Sequence, residues 1–231
     1  MIALRMSIND FNISINPIFG AMQVNDIWQD ILVNLQAFDF WGLIAFVSGI
    51  LAVVFLIKEN IWTWPFGILY TVISLVVFYE SQLYGDLMLH VFFLVLNIYG
   101  WIHWVKGKTR TDQELPVTRL AWKPALFYLG VSGMFIFIFG QFLINLPNWF
   151  EGIEPASLPY WDSTTSMLSV TAMWLTARKR IDNWYYWFAI DVLATGIYFY
   201  KGLYFYALLY LLYIGMAVAG YRAWKKTLMS Q

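Results

Sequence analysis

The sequence predicts an all-α integral membrane protein, with seven transmembrane helices arranged as two parallel three-helix repeats joined by a linking helix. Three features carry that expectation: an apolar, charge-poor composition, the recurrence of long apolar runs, and an internal match at a shift of 120 residues. Of 231 residues, 61% are hydrophobic, 20% aromatic and 12% charged, with a mean hydropathy of +0.61. A soluble domain carries roughly 25% charged residues. Formal net charge is zero, so nothing points to nucleic acid, and charge is better read by position than by total. The absence of cysteine excludes disulfides, thiolate nucleophiles and Cys-based metal sites.

Residues 1–37 lack a continuous apolar core behind a basic start, so they read as mature sequence rather than as a cleavable signal. They form an expected extracytoplasmic segment. Within it Asn25-Asp26 is a helix cap, and Ile27, Ile31, Leu32 and Leu35 share one side of a short interfacial helix.

Apolar runs of about 17 to 23 residues, each able to cross a hydrocarbon core of about 30 Å, are expected at 38–57, 62–79, 86–105, 124–146, 161–177, 184–200 and 203–224. The first three make one repeat, 38–105. A loop, the linking span and an outer loop fill 106–160, the second repeat is 161–226, and 227–231 is a tail. Threading the seven spans places Lys58, Lys106, Lys108, Arg110, Arg119, Lys123, Arg178, Lys179, Arg180, Arg222, Lys225 and Lys226 on one side, twelve of the 14 basic residues. Arg5 and Lys201 fall on the other, where Asp10, Asp26, Asp30, Asp39, Glu80, Asp86, Glu151, Glu154 and Asp162 gather. Basic loops are retained in the cytoplasm, so the amino terminus is expected outside and the carboxyl terminus inside.

Shifting the chain by 120 residues lays Trp41 on Trp161, Trp64 on Trp184, Leu83-Tyr84 on Leu203-Tyr204, Gly100 on Gly220 and Trp104 on Trp224. Ten of the 64 pairs from Trp41 to Trp104 are identical, which alone is weak in so aromatic a sequence. The positions strengthen it, because the matches fall at equivalent ends of spans. Spans one to three and five to seven then share one orientation, the parallel-repeat plan that places a site between repeats near the midplane.

An ionisable group near the bilayer centre costs about 2.5 to 3.5 kcal/mol, so each one requires a reason. Asp191 lies about 10 Å along its span from Trp184. Trp184, Trp187, Asp191 and Thr195 form one stripe, suited to a flat cationic ligand through stacking, cation-π attraction and a counter-ion. The structural alternative is an Asp191 bonded to a Ser or Thr of a neighbouring span, with the tryptophans in an interfacial belt. Span three carries Asp86, His90 and Asn97 on a second stripe. His90 is either a ligand contact or a satisfied core residue. Asn97 suits a ribose or carboxamide, or serves as interhelical glue. His103 is too distant from His90 for a metal site. Tyr206, Tyr210 and Tyr213 form a phenol ladder that is either packing or part of a site, and Asp162 reads as structural. No phosphate loop, metalloprotease motif or ATPase-sized domain is present, so the chain is expected not to be an enzyme and needs no cofactor.

The segments Leu83-Tyr84-Gly85-Asp86, Asn97-Ile98-Tyr99-Gly100-Trp101-Ile102-His103-Trp104, Tyr160-Trp161-Asp162-Ser163 and Asn183-Trp184-Tyr185-Tyr186-Trp187 resemble signature stretches of the PnuC-type vitamin transporters. The resemblance covers roughly residues 38 to 226 in order and spacing. It implies a 3+1+3 helix plan, a homotrimer in the bacterial inner membrane, and facilitated diffusion of nicotinamide riboside by alternating access. A separate cytoplasmic kinase would trap the vitamin. By position it implies substrate contacts at His90, Asn97, Trp184, Trp187, Asp191 and Tyr210. Relatives often carry an amide where His90 and Asp191 stand, so thiamine, another flat cation, is the alternative ligand.

Overall fold

The structure is a computed structural model that describes residues 24–231 apart from 38, 82–83, 112–114 and 150–157. The expectations for Arg5, Asp10, Leu83, Glu151 and Glu154, and for the side chains of Asn25, Asp26, Lys108 and Arg110, lie outside the described residues. Eight helices are described: α1 (Val24–Gln36), α2 (Phe40–Ile57), α3 (Thr63–Glu80), α4 (Tyr84–Thr111), α5 (Trp122–Trp149), α6 (Pro159–Ala177), α7 (Asn183–Tyr200) and α8 (Tyr204–Ser230). Helices α2 to α8 fall on the seven predicted runs. Helices α4 and α8 continue beyond the apolar cores into the basic segments at their carboxyl ends.

Five of these, α2, α3, α4, α5 and α8, are long and apolar enough to cross a membrane by length and composition. Helices α6 and α7 fall short of the expectation of seven such runs, for a chemical reason. Helix α6 is dense in hydroxyls, and α7 mixes Trp and Tyr with Asp191. The hydroxyls of α6 are silenced locally: Thr164, Thr165, Ser169 and Thr176 each donate to the carbonyl four residues earlier, while Ser163 donates to Ile136 O of α5. Buried hydroxyls that are bonded this way carry little desolvation cost. Helix α6 packs on α4, α5 and α7, inside the bundle rather than at its rim.

The helices assemble as two triplets, α2-α3-α4 and α6-α7-α8, each with its neighbours in contact. Between the triplets, α4 meets α6 and α8 meets α2, the reciprocal pairing that an approximate two-fold relation requires. Helix α5 lies outside against α6, with Phe127, Phe135, Phe137, Ile138 and Trp149 exposed.

The repeat is clearest at the end that carries the basic segments. Helix α2 stops with Glu59 N donating to Leu56 O and Asn60 N to Phe55 O. Helix α6 stops with Lys179 N donating to Thr176 O and Arg180 N to Leu175 O. This is one Schellman closure written twice, 120 residues apart. Its left-handed position is held by Glu59 (φ 55°) and Lys179 (φ 52°), neither a glycine, at a cost of about 1–2 kcal/mol each. The segment before α5 is pinned to the second closure: Thr118 N donates to Lys179 O, Ile181 N to Thr118 O, and Leu120 N to an Asp182 carboxylate oxygen at 2.8 Å.

Four tryptophans fill the same end. Trp64 meets Trp104 edge-on at 5.3 Å and Trp184 meets Trp224 edge-on at 5.7 Å, while Trp104 and Trp224 meet each other at 6.3 Å between the triplets. Glycine makes the packing possible. A Cβ on Gly100 would collide with the Trp64 ring, and one on Gly220 with the Trp184 ring. In a lipid-solvated bundle the attraction between helices comes from such close packing and from hydrogen bonds, because lipid tails are as apolar as the side chains.

At the opposite end α1 packs on α8 with its polar side inward. Asp30 accepts a hydrogen bond from Phe205 N at 2.8 Å and so caps α8 from a distant part of the chain, while Asn34 donates to Asp30. Trp28, Leu32 and Leu35 face outward.

The glycine contacts make a direct prediction for the purified protein in detergent. Gly220→Ala should lower stability by about 1–3 kcal/mol through overpacking against Trp184. Gly196→Ala, where a Cβ would meet no atom within 4 Å, should leave the thermal midpoint unchanged or slightly higher.

Candidate functional site

Between the triplets lies a cavity of about 220 Å³. Its lining repeats the sequence match in space, since Gly49 and Ser169, Val53 and Met173, Trp64 and Trp184, Gly67 and Trp187, Thr71 and Asp191, and Asn97 and Ala217 all contribute, each pair 120 residues apart. The cavity therefore sits on the relation between the halves. The paired positions are not filled alike: where one half gives a small residue, Gly67 or Ala217, the other gives a large or polar one, Trp187 or Asn97.

Each side chain has an identifiable support. Asn97 projects from α4 against Gly67, where a Cβ would meet its Oδ1. Its Nδ2 donates to Phe93 O at 2.9 Å and to Thr71 Oγ1 at 3.4 Å, while Thr71 donates to Gly67 O at 2.7 Å. The amide nitrogen is thus engaged, and its carbonyl oxygen is the acceptor left for a ligand. On α7, Trp187 Nε1 donates to Thr176 Oγ1 at 3.2 Å, which fixes the indole plane relative to α6. Trp64 and Trp184 are held differently: among the described residues, their buried indole N–H groups have no hydrogen-bond partner, so shape alone positions these rings.

Asp191 is only 6% exposed and is the one charged side chain among the described lining residues. Among the described residues no cation and no hydrogen-bond donor reaches its carboxylate. A buried carboxylate costs several kcal/mol unless a partner offsets it. Tyr70, Tyr210 and Tyr213 line the rest of this region, with Tyr210 stacked on Tyr198 at 5.4 Å.

Of the six residues singled out from the sequence, the structure brings Asn97, Trp184, Trp187, Asp191 and Tyr210 together around one cavity. It places His90 behind that wall rather than on it. His90 is fully buried, its Nδ1 donates to Asp86 O at 2.9 Å, and its ring lies 4.6 Å from Phe78, 5.3 Å from Phe93 and 6.0 Å from Tyr70. Of the phenol ladder, Tyr210 and Tyr213 line the cavity and Tyr206 packs on Tyr198 and Phe205 instead. Sequence reasoning missed Gly67, Tyr70 and Thr176 as lining residues. The 120-residue shift held the signal for Gly67, as the empty counterpart of Trp187.

Long apolar helices around a pseudo-symmetric, largely apolar and aromatic cavity between two repeats are the architecture of a multi-pass membrane transporter. The comparisons specify which kind. The chain belongs to the nicotinamide mononucleotide transporter family, whose model matches residues 39–226. The nicotinamide riboside transporter PnuC of Escherichia coli (strain K12) is 29% identical over 195 residues, covering 77% of this chain and 82% of the relative. The riboflavin/roseoflavin transporter RibM of Streptomyces davaonensis is 23% identical over 200 residues, covering 86% and 84%. The crystal structure of the vitamin B3 transporter PnuC shares the fold, with a TM-score of 0.62 at 22% identity over 92% of this chain and 95% of that one.

Thr176 is the support whose removal can be read without disturbing Asp191. Thr176→Val should leave the protein folded and weaken binding of a flat aromatic ligand by about three- to tenfold, the loss of one neutral hydrogen bond to Trp187, as measured by titration of the purified protein.

Proposed function

We propose that this chain carries nicotinamide riboside across the bacterial inner membrane by facilitated diffusion. The observation that carries the reading is the lone carboxylate of Asp191 in a cavity walled by aromatic rings. A pyridinium ring is flat and carries a fixed positive charge, so it stacks on Trp187 or Trp184 while Asp191 balances its charge. The ribose hydroxyls then meet the Asn97 carbonyl and Tyr210. His90 acts from behind, by holding Tyr70 and Phe93 in the wall. The absence of any Lys or Arg among the described lining residues supports the unphosphorylated riboside over its 5′-phosphate, whose anion would be buried beside Asp191.

Transport follows from alternating access about the cavity, with α2 to α8 as seven spans in a 3+1+3 plan. The twelve-to-two division of basic residues supports an outside amino terminus and a cytoplasmic carboxyl terminus. Helix α1 then lies at the outer interface, with Trp28 and Leu32 toward lipid. The exposed apolar side of α5 meets lipid or the neighbouring copies of a homotrimer. Net uptake requires chemical trapping, which a cytoplasmic kinase supplies by phosphorylating the riboside.

Thiamine is the second reading, because it too pairs a permanent cation with flat rings. A tricyclic flavin, the cargo in the name of the Streptomyces relative, needs more room than a pyridine riboside and leaves Asp191 without a cation.

The decisive substitutions are Asp191→Asn and Asp162→Asn. The first should weaken riboside binding by at least about tenfold, the scale of one charge-assisted contact. The second, near the far end of α6, should change binding by less than about threefold. Equal, small effects in calorimetric titrations would remove Asp191 from the site.

A further inference from the structure

The end of the cavity nearest the basic segments is closed by one set of contacts between the halves. Leu56, Trp64, Trp184 and Ala217 belong both to the cavity lining and to the buried cluster beneath it. Under them Trp104 Nε1 of the first triplet donates to Ala177 O at the end of α6, at 3.2 Å. Trp224 Nε1 of the second donates to Leu56 O at the end of α2, at 2.9 Å. Each half thus closes the other.

The two chain reversals complete this closure. Glu59 and Lys179 occupy the same left-handed position of the two repeats, and one is an acid where the other is a base. Lys179 Nζ lies 2.9 Å from Glu59 Oε2, with the side chains 3% and 13% exposed, and 5.0 Å from the Trp104 ring centre. An ion pair between matched positions lies on the relation between the halves. It joins α2 to α6, which share no other extensive contact. Any movement that separates the triplets at this end must break it.

We propose that the Glu59–Lys179 pair is the latch of the gate at this end: closed while the cavity faces the acidic side, and parted when the cavity opens toward the basic segments. The assignment rests on alternating access by the transporter proposed above, and it concerns the gate, not the cargo. A buried pair suits a latch because leaving either charge without its partner in the interior is costly, so intermediate openings are disfavoured.

The cysteine-free sequence makes the test direct. A reporter cysteine at Met173, which lines the cavity, is labelled with a membrane-impermeant maleimide added to either side of vesicles; no ligand is needed, so a wrong cargo does not affect the result. Neutralising both partners, Glu59→Gln with Lys179→Met, should raise the labelling rate from the basic side about fivefold to tenfold, without raising it from the other side. The exchanged pair, Glu59→Lys with Lys179→Glu, should return it toward the parent rate. Glu59→Asp, which keeps both charges but shortens the acid, should give an intermediate rate and serves if the neutral pair folds poorly. The proposal is overturned by parent-rate labelling in the neutral pair or in Glu59→Asp, by faster labelling only from the acidic side, or by an exchanged pair that labels as fast as the neutral one.

Discussion

Two indole N–H groups, on Trp104 and Trp224, join the halves of this protein, each reaching the last carbonyls of the opposite triplet's first helix. In water such bonds would add to a large hydrophobic term. Among lipid-solvated helices that term is missing, and close packing and polar contacts decide how helices associate. The reciprocal bonds set the spacing of α2 against α8 and of α4 against α6. That spacing leaves a cavity rather than a filled core between the triplets. The glycines beneath Trp64 and Trp184 belong to the same constraint, because those rings need the room to lie flat against the neighbouring helix.

A cavity on a pseudo-two-fold relation would, if strictly symmetric, suit a symmetric ligand. Here the duplicated backbone has been furnished differently on its two sides. Gly67 faces Trp187 in the repeat, Thr71 faces Asp191, and Ala217 faces Asn97. The result is an aromatic, acidic wall from α7 and a hydrogen-bonding wall from α3 and α4. The same logic recurs at the closures, where Glu59 and Lys179 occupy one backbone position with opposite charge. Symmetry supplies the frame, and its local breaking supplies the chemistry.

Much of this was legible in the sequence because it depends on periodicity. Helices α2 to α8 and the repeat follow from apolar run length and a fixed shift, and Asn97, Trp184, Trp187, Asp191 and Tyr210, singled out from the sequence, line one cavity. What sequence did not yield depends on rotation about a helix axis or on contacts between distant segments. The spacing of His90 from Asn97 puts both on one stripe, yet His90 packs against Tyr70, Phe78 and Phe93 and does not line the cavity. The Asp30 cap on α8 links residues 175 apart and leaves no local pattern. Glycine at 67 is informative only once Trp187 is recognised as its partner. The hydropathy of α6 counts Thr164, Thr165, Ser169 and Thr176 as polar, although each bonds within its own helix and is no longer as polar as a scale assumes.

Selection of an unphosphorylated cationic riboside by a single buried carboxylate and its aromatic walls is the core of the proposed function. The measurement closest to it is titration of the purified protein with nicotinamide riboside, its 5′-phosphate and thiamine under one set of conditions. Saturable binding of the riboside is expected, with the phosphate weaker by at least about a hundredfold, the scale of an uncompensated anion beside Asp191, and thiamine weaker as well. Binding of the phosphate as tight as that of the riboside, or a preference for thiamine, would contradict it.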